Sequence, residues 1–202
     1  MILVGMPDSP YVRRVAVTLK LMGLPFEHQQ VSVFRHIDRF RAINPVIKAP
    51  TFICDDGTVL MDSTLILDYL EHCVAAGNGL MPPGGEPRKQ ALRLIGLAMA
   101  ACEKLVQMVY EKEQRAAVDP KWMERITAQA HAALGELEKA ALGANPWLQG
   151  ERFNAADVAV AVTWRFGQFY NAAEIPASRY PALAAYSARA EALPELASTP
   201  LE

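Results

Sequence analysis

The feature that most constrains this chain is an abrupt change of pattern near residue 80. Up to about residue 77, short apolar runs alternate with amphipathic stretches, whereas after residue 87 every long apolar pattern has a helical period. Between the two lie Gly77-Asn78-Gly79 and Pro82-Pro83-Gly84-Gly85-Glu86-Pro87, a turn-rich stretch that reads as a linker. The expected division is a first domain over 1–77, a linker over 78–87 and an all-helical domain over 88–202. A chain of 202 residues with 51% hydrophobic composition can bury a core in each.

In the first part, residues 2–5 read as a buried strand. Met6-Pro7-Asp8-Ser9-Pro10 is a turn in which Ser9 suits an N-cap and Pro10 the first helical position. A helix to about Gly23 follows, with Val12, Val15, Ala16, Leu19 and Met22 on its apolar face. Residues 27–32 form a second strand and 34–43 a polar helical turn ending at Asn44-Pro45. Thr51-Phe52-Ile53-Cys54 is a third strand, and Asp55-Asp56-Gly57 turns it into a fourth at 58–61. Asp62 or Ser63 then caps a helix to about Ala75, with Leu65, Ile66, Tyr69 and Leu70 on one face. The first strand pair needs a helical crossover and the last is a hairpin, so the sheet is small, mixed and four-stranded. In the second part, helices are expected over 88–116, 120–143, 154–170 and 181–192, the third almost wholly apolar at its start and therefore central.

Composition excludes several functions. Net charge is -2, with no basic block, which removes the electrostatic case for nucleic acid. Met1-Ile2-Leu3-Val4-Gly5 lacks the pattern of a signal peptide, and no apolar run approaches a membrane span. A cytoplasmic protein is expected. Cys54, Cys73 and Cys102 are widely spaced, form no C-x-x-C pair and read as small buried residues. His28, His36, His72 and His131 are scattered without metal-ligand spacing, so no metal site is expected. Trp164, Phe166, Phe169 and Tyr170 read as core.

Three short motifs can carry chemistry. A side chain at Ser9 would stand beside the free N–H groups and positive dipole end of a helix, where an anion is stabilised and a thiol loses its proton more easily. Read alone, Ser9 is also simply an N-cap worth about 1 kcal/mol. Ala49-Pro50 enters a strand after a loop; a cis bond there would offer the Ala49 backbone to an extended ligand, and a trans bond would only open an edge strand. Asp62-Ser63 can cap a helix, or hold a carboxylate and an ammonium group. Lys48 is either a cation for a carboxylate or a solvated lysine.

Taken in order, Ser9-Pro10-Tyr11-Val12-Arg13-Arg14, then Asn44-Pro45-Val46-Ile47-Lys48-Ala49-Pro50, then Asp62-Ser63 resemble the glutathione site of glutathione S-transferases. Phe153-Asn154-Ala155-Ala156-Asp157 resembles that family's capping box, with Asn154 the N-cap, Asp157 its reciprocal partner and Phe153 the staple. The resemblance covers essentially the whole chain and is closest to serine-type, bacterial-like members. It implies a thioredoxin-like α/β N-terminal domain and an all-α C-terminal domain. It implies that Ser9 activates the thiol, that Ala49 before a cis-Pro50 pairs with the cysteinyl unit, and that Asp62 and Ser63 hold the γ-glutamyl end. Lys48 lies near the glycyl end, which Arg35 or His36 can also approach. A hydrophobic electrophile is expected between the domains, near Met6, Pro7, Met99, Val106 and Tyr110. Glutathione is the co-substrate and no other cofactor is implied. The implied role is detoxification by a homodimer, without nucleic acid or membrane partners.

The chain departs from the family pattern in several places. Val4, Gly5 and Met6 stand where tyrosine-type members carry tyrosine, and Ser9 where cysteine-type members carry cysteine. Asp62 replaces the commoner glutamate and Asn154 the commoner serine or threonine. The serine-serine-cysteine run of isomerase-type members is absent. The rival readings are a non-catalytic glutathione- or ligand-binding protein of the same fold, and a glutathione-dependent isomerase or peroxidase.

Overall fold

The structure, a computed structural model, describes residues 1–201. The chain forms two compact units, one built from Met1–Leu80 and the segment from Pro194 onward, the other from Met81–Leu193.

The first unit contains β1 (Ile2–Val4), α1 (Pro10–Leu21), β2 (Glu27–Gln29), α2 (Ile37–Ile43), β3 (Thr51–Ile53), β4 (Val59–Met61) and α3 (Ser63–Glu71). The sheet order is β2-β1-β3-β4. β1 runs parallel to β2, with Leu3 opposite His28, and antiparallel to β3, with Leu3 opposite Phe52; β3 and β4 are an antiparallel hairpin. This is the mixed four-stranded sheet expected from the crossover and the Asp55-Asp56-Gly57 turn. Gly57 takes φ 86°, the left-handed geometry that the turn needs. Strands are shorter than expected at several ends; the second stops at Gln29 instead of residue 32.

One face of the sheet packs with α1 and α3. Leu3, Val12, Val15, Ala16, Leu19, Phe52, Ile66 and Leu70 form this core. A smaller cluster of Val4, Val31 and Phe40 lies with α2. α3 departs from its expected single apolar face. Ile66 and Leu70 are buried, but Leu65 and Tyr69 are exposed, Leu65 by 64%. The four residues fall on two adjacent stripes of the helix, and the sheet covers only one. Cys54 is buried, whereas Cys73, just past the end of α3, is exposed and corrects the expectation of three buried thiols.

The second unit contains α4 (Gly85–Glu113), α5 (Pro120–Leu142), α6 (Ala155–Tyr170), a 3-10 turn (Ala177–Arg179) and α7 (Pro181–Glu191). α4 starts at Gly85, inside the stretch read as linker. Asp119 caps α5 by accepting from Lys121 and Trp122 amides at 3.0 and 3.2 Å, with Pro120 at the first position. α6 is central: it is buried continuously from Ala156 to Trp164. Its capping box is complete, with Asn154 Oδ1 accepting from the Ala156 amide at 2.8 Å and Asp157 Oδ2 accepting from the Asn154 amide at 2.9 Å. Asp157 Oδ1 also accepts from the Leu148 amide and the Tyr186 hydroxyl, at 2.9 and 2.7 Å. Burial pushes the Asp157 carboxyl above its ordinary pKa, and these donors oppose that shift. Phe153 stacks edge-on against Trp147 at 4.7 Å. Trp164 and Phe166 are core as expected, but Phe169 is 49% exposed, because it lies one turn after exposed Arg165 on the outer face of α6, while Gly167 and Asn171 stay buried.

The last helix, α8 (Pro194–Ala197), lies beyond the expected elements. It belongs with the first unit, so the expected helical domain over 88–202 ends instead at Leu193. The reason is a set of contacts to α1: Arg13 and Lys20 bond to Leu196, Ser198 and Thr199. Among the described residues, no helix is long and apolar enough to cross a membrane.

Candidate functional site

The candidate site lies in the first unit, where the start of α1, the loop before β3 and the start of α3 meet the sheet. Gly5 organises the first two. It ends β1 with φ 143°, and a Cβ placed there would stand 2.5 Å from Val12 Cγ2 and 3.2 Å from Ala49 Cβ. Only a residue without a side chain lets the first turn of α1 and the Ala49 loop both close onto the strand end. The carbonyl of Gly5 lies 2.9 Å from His28 Nε2, and burial lowers the pKa of that imidazole, a shift the hydrogen bond to Gly5 opposes.

Ser9 is the N-cap of α1 and Pro10 its first residue, as the sequence predicts. Ser9 Oγ accepts from the Val12 amide at a long 3.4 Å, and the Arg13 amide donates to the Ser9 carbonyl at 2.9 Å. The Ser9 hydroxyl is partly exposed, and its hydrogen has no acceptor among the described residues. It is therefore free to donate outward from the positive end of the helix.

The second element is the loop 44–50. The Ala49–Pro50 peptide is cis. Neither the N–H nor the C=O of Ala49 has a hydrogen-bond partner among the described residues, and Ala49 is part-exposed. Such a pair of unused backbone groups suits an extended peptide-like ligand. The loop is held from behind. Asn44, which is 1% exposed, donates from Nδ2 to Thr51 Oγ1 at 2.8 Å and accepts the Val46 amide on Oδ1 at 3.0 Å. Thr51 Oγ1 donates to the Lys48 carbonyl at 2.7 Å. Ile47 is held at φ 53°, a conformation a β-branched residue adopts only under constraint.

The third element is the start of α3. Asp62 is its N-cap, at φ 72°, and accepts the Thr64 amide at 2.9 Å. Its second oxygen lies 3.5 Å from Lys48 Nζ. The sequence reading put Lys48 near the glycyl end of a tripeptide and Asp62 at the γ-glutamyl end; in the structure the two face each other. Both are about half exposed, so the pair contributes little stability and can be exchanged for a ligand's charges. Ser63 is buried, and Arg14 Nη1 donates to Ser63 Oγ at 3.4 Å and to Thr64 Oγ1 at 3.2 Å. Arg14 thus ties α1 to the start of α3 and sets a positive charge beneath it.

The remaining expected residues are less gathered. Arg35 is exposed, and His36, also exposed, uses Nδ1 to accept the Ser32 amide at 3.2 Å. Met6 is part-exposed beside Ser9, whose amide donates to the Met6 carbonyl at 3.2 Å, while Pro7 is buried. On α4 of the second unit, Met99 and Val106 are part-buried and Tyr110 is exposed. No cluster of three metal-ligating side chains forms among the described residues. Sequence reasoning missed the supports: Gly5, Asn44, Thr51 and Arg14. Only Asn44 had a local signal, a turn residue before proline.

The chain matches two domain models of one family, the glutathione S-transferase N-terminal domain over residues 3–76 and the C-terminal domain over residues 120–189. It belongs to the glutathione S-transferase family. Among plant relatives, it is 29% identical to a probable glutathione S-transferase of Oryza sativa subsp. japonica, over 93% of this chain and 82% of that one. It is 30% identical to glutathione S-transferase U4 of Arabidopsis thaliana over 46% of this chain, a match that spans 40% of the Arabidopsis protein. Among solved structures, a glutathione S-transferase from Methylobacterium radiotolerans, in complex with glutathione sulfonate, superposes with a TM-score of 0.89. It is 28% identical, over 98% of this chain and 93% of that one. A glutathione transferase family member from Pseudomonas fluorescens Pf-5, with bound glutathione, superposes with a TM-score of 0.84 at 29% identity, covering 98% and 97%. The glutathione S-transferase fold of this chain is thus a thioredoxin-like sheet unit and a helical unit.

Gly5→Ala is expected to destabilise the first unit by about 1–3 kcal/mol, because Val12 or Ala49 must move aside. Denaturant unfolding would read this as a lower midpoint at unchanged slope.

Proposed function

We propose that this chain is a glutathione transferase: it binds glutathione in the first unit, stabilises the thiolate at Ser9 and conjugates it to a hydrophobic electrophile. The observation that carries the reading is the free hydroxyl hydrogen of Ser9 at the N-terminus of α1, on the helical turn that closes with unpaired Ala49 onto Gly5. The tripeptide's cysteinyl unit would form two hydrogen bonds with Ala49. Its γ-glutamyl ammonium would meet Asp62, displacing Lys48, and its carboxylate would meet Ser63 and the start of α3. Lys48, and Arg35 or His36, are the cations offered to the glycyl carboxylate. Bound glutathione in the Pseudomonas fluorescens relative supports this reading.

The chemistry asked of the protein is modest. The thiol proton leaves to water, and the remaining thiolate gains the Ser9 hydrogen bond and the helix dipole. The sulfur lone pair then forms a carbon–sulfur bond with the electrophile, and the displaced electron pair leaves with the leaving group or settles on the acceptor. Binding both reactants together supplies the rest of the acceleration. Met6 offers apolar, part-exposed surface beside Ser9 for the electrophile.

The stripe of Leu65 and Tyr69 on α3, and separately Leu92 on α4, are exposed apolar side chains that a second copy of the chain would cover. The proposal is a homodimer. The three free cysteines fit a reducing, cytoplasmic setting.

Three measurements test this reading. Ser9→Ala should raise the pKa of the bound thiol by about 1 to 2 pH units, since a hydrogen bond to a charged group is worth about 1.5–3 kcal/mol. The sign follows from the thiolate being the stabilised form, so the rate lost is largest at low pH. Ultraviolet absorbance of bound thiolate across a titration reads it directly, and an unchanged pKa would remove Ser9 from the mechanism. Arg14→Met should raise KM for glutathione about threefold to tenfold, through loss of the Ser63 and Thr64 contacts, while the fold survives. Analytical ultracentrifugation should give twice the chain mass of 22.2 kDa for the wild type and the monomer mass for Leu65→Asp.

A further inference from the structure

We propose that the segment Pro194–Leu201 is a strap that fixes α1 along its axis, and that Arg13 is the positioning residue through which it holds Ser9. The inference rests on the reading of Ser9 given above and extends it to the far end of the chain.

The argument begins with what apolar packing cannot do. α1 buries Val12, Val15, Ala16 and Leu19 against the sheet and α3. Apolar burial holds a helix to a surface strongly, but it is non-directional. It resists lifting more than sliding along the axis or rolling about it. A hydroxyl that must meet a sulfur atom needs an axial position fixed within a few tenths of an ångström, because hydrogen bonds weaken steeply away from their preferred geometry.

The polar contacts supply that fixation. Arg13 is 1% exposed, yet it carries a guanidinium, a group that is costly to bury without hydrogen-bond partners. Its Nε donates to the Thr199 carbonyl at 2.6 Å and its Nη2 to the Leu196 carbonyl at 3.2 Å. Lys20, two turns further along α1, donates to the Ser198 carbonyl at 2.7 Å, Ser198 Oγ at 3.0 Å and Thr199 Oγ1 at 2.8 Å. Positions two turns apart lie on the same helix face, about 10 Å apart along the axis. Two anchors on one face stop both sliding and rolling.

The strap itself is built to present those carbonyls. α8 ends at Ala197, and beyond it the Ser198 and Thr199 carbonyls accept from Lys20 and Arg13, while the Leu196 carbonyl accepts from both Arg13 and the Thr199 amide, the latter at 3.0 Å. Leu196 and Leu201 are buried and hold the segment down, while Ser198 Oγ and Thr199 Oγ1 turn back to the Pro194 and Glu195 carbonyls at 2.6 and 2.7 Å. Glu195 is the acidic group that faces Lys20. At the other end of α1, the Arg13 amide closes the first helical turn on the Ser9 carbonyl at 2.9 Å. The guanidinium anchor is therefore one turn from the hydroxyl it positions.

The test uses the full chain with four variants, Arg13→Gln, Arg13→Lys, Lys20→Met and Ser9→Ala, and two readouts. The first is the pKa of bound glutathione from thiolate absorbance; the second is hydrogen exchange of the α1 first-turn amides, with the sheet amides as an internal reference. Arg13→Gln is expected to raise the bound-thiol pKa by about 0.5 to 1 pH unit and to speed first-turn exchange at least tenfold, with sheet amides unchanged. Arg13→Lys should recover part of both effects. Lys20→Met, which removes a part-exposed anchor and leaves the core intact, should show the same changes at smaller size and keeps the test valid should Arg13→Gln fail to fold. A purely structural anchor would lower overall stability and leave the bound-thiol pKa where it is. If Ser9→Ala raises that pKa while the Arg13 and Lys20 variants leave it at the wild-type value, the strap proposal fails, whatever first-turn exchange does, and the Ser9 reading stands. If Ser9→Ala leaves the pKa unchanged, both fail together.

Discussion

Everything at the candidate site depends on a close approach at Gly5. The end of β1 passes beneath the first turn of α1 and beside Ala49, and there is no room for even a methyl group between them. That approach brings two kinds of unused polar group to one place. One is the N-terminal end of a helix with its cap hydroxyl; the other is a stretch of backbone at Ala49 that no strand has taken up. The strand-end glycine makes no side-chain contact of its own and acts through the space it leaves. Its value is geometric, because it sets how close the capped end of α1 can stand to the unpaired backbone of Ala49.

The support for this arrangement is polar, buried and unevenly distributed. Asn44 and Thr51 brace the Ala49 loop, and Ile47 is held in a left-handed conformation within it. Arg14 couples α1 to the start of α3, and Arg13 couples it to the C-terminal segment. Two adjacent arginines on one helix thus reach in different directions. Each is nearly fully buried, which is costly unless bonds compensate, and each ends on groups far away in sequence. Buried charges of this kind fix position at some expense in stability. Apolar packing alone would give α1 the stability and not the register.

The Lys48–Asp62 pair shows the opposite economy. It is half exposed and 3.5 Å long, so it holds nothing firmly. It keeps a cation and an anion close together where a zwitterionic ligand would bring one of each. A weak pair can open at little cost, whereas the groups that must not move are buried.

How much of this was legible in the sequence follows from the range of each interaction. Local signals act through a few neighbouring residues, and they were readable: Ser9-Pro10 and Asp119-Pro120 as helix starts, Asn154 with Asp157 as a capping box, Asp55-Asp56-Gly57 as a hairpin turn. The order of Ser9, Ala49-Pro50 and Asp62-Ser63 was enough to suggest the family, because that order survives without any knowledge of distance. The remainder belongs to the tertiary structure. Nothing near Gly5 in the chain announces Ala49, nothing near Arg13 announces Thr199, and hydrophobic periodicity put Leu65 and Tyr69 on a buried face that the sheet does not cover. Sequence determines which backbone segments are helix, strand or turn, since those states are set by neighbours. Which buried arginine meets which carbonyl, and which apolar stripe stays exposed, is decided only when distant segments close on one another and compete for the same surface.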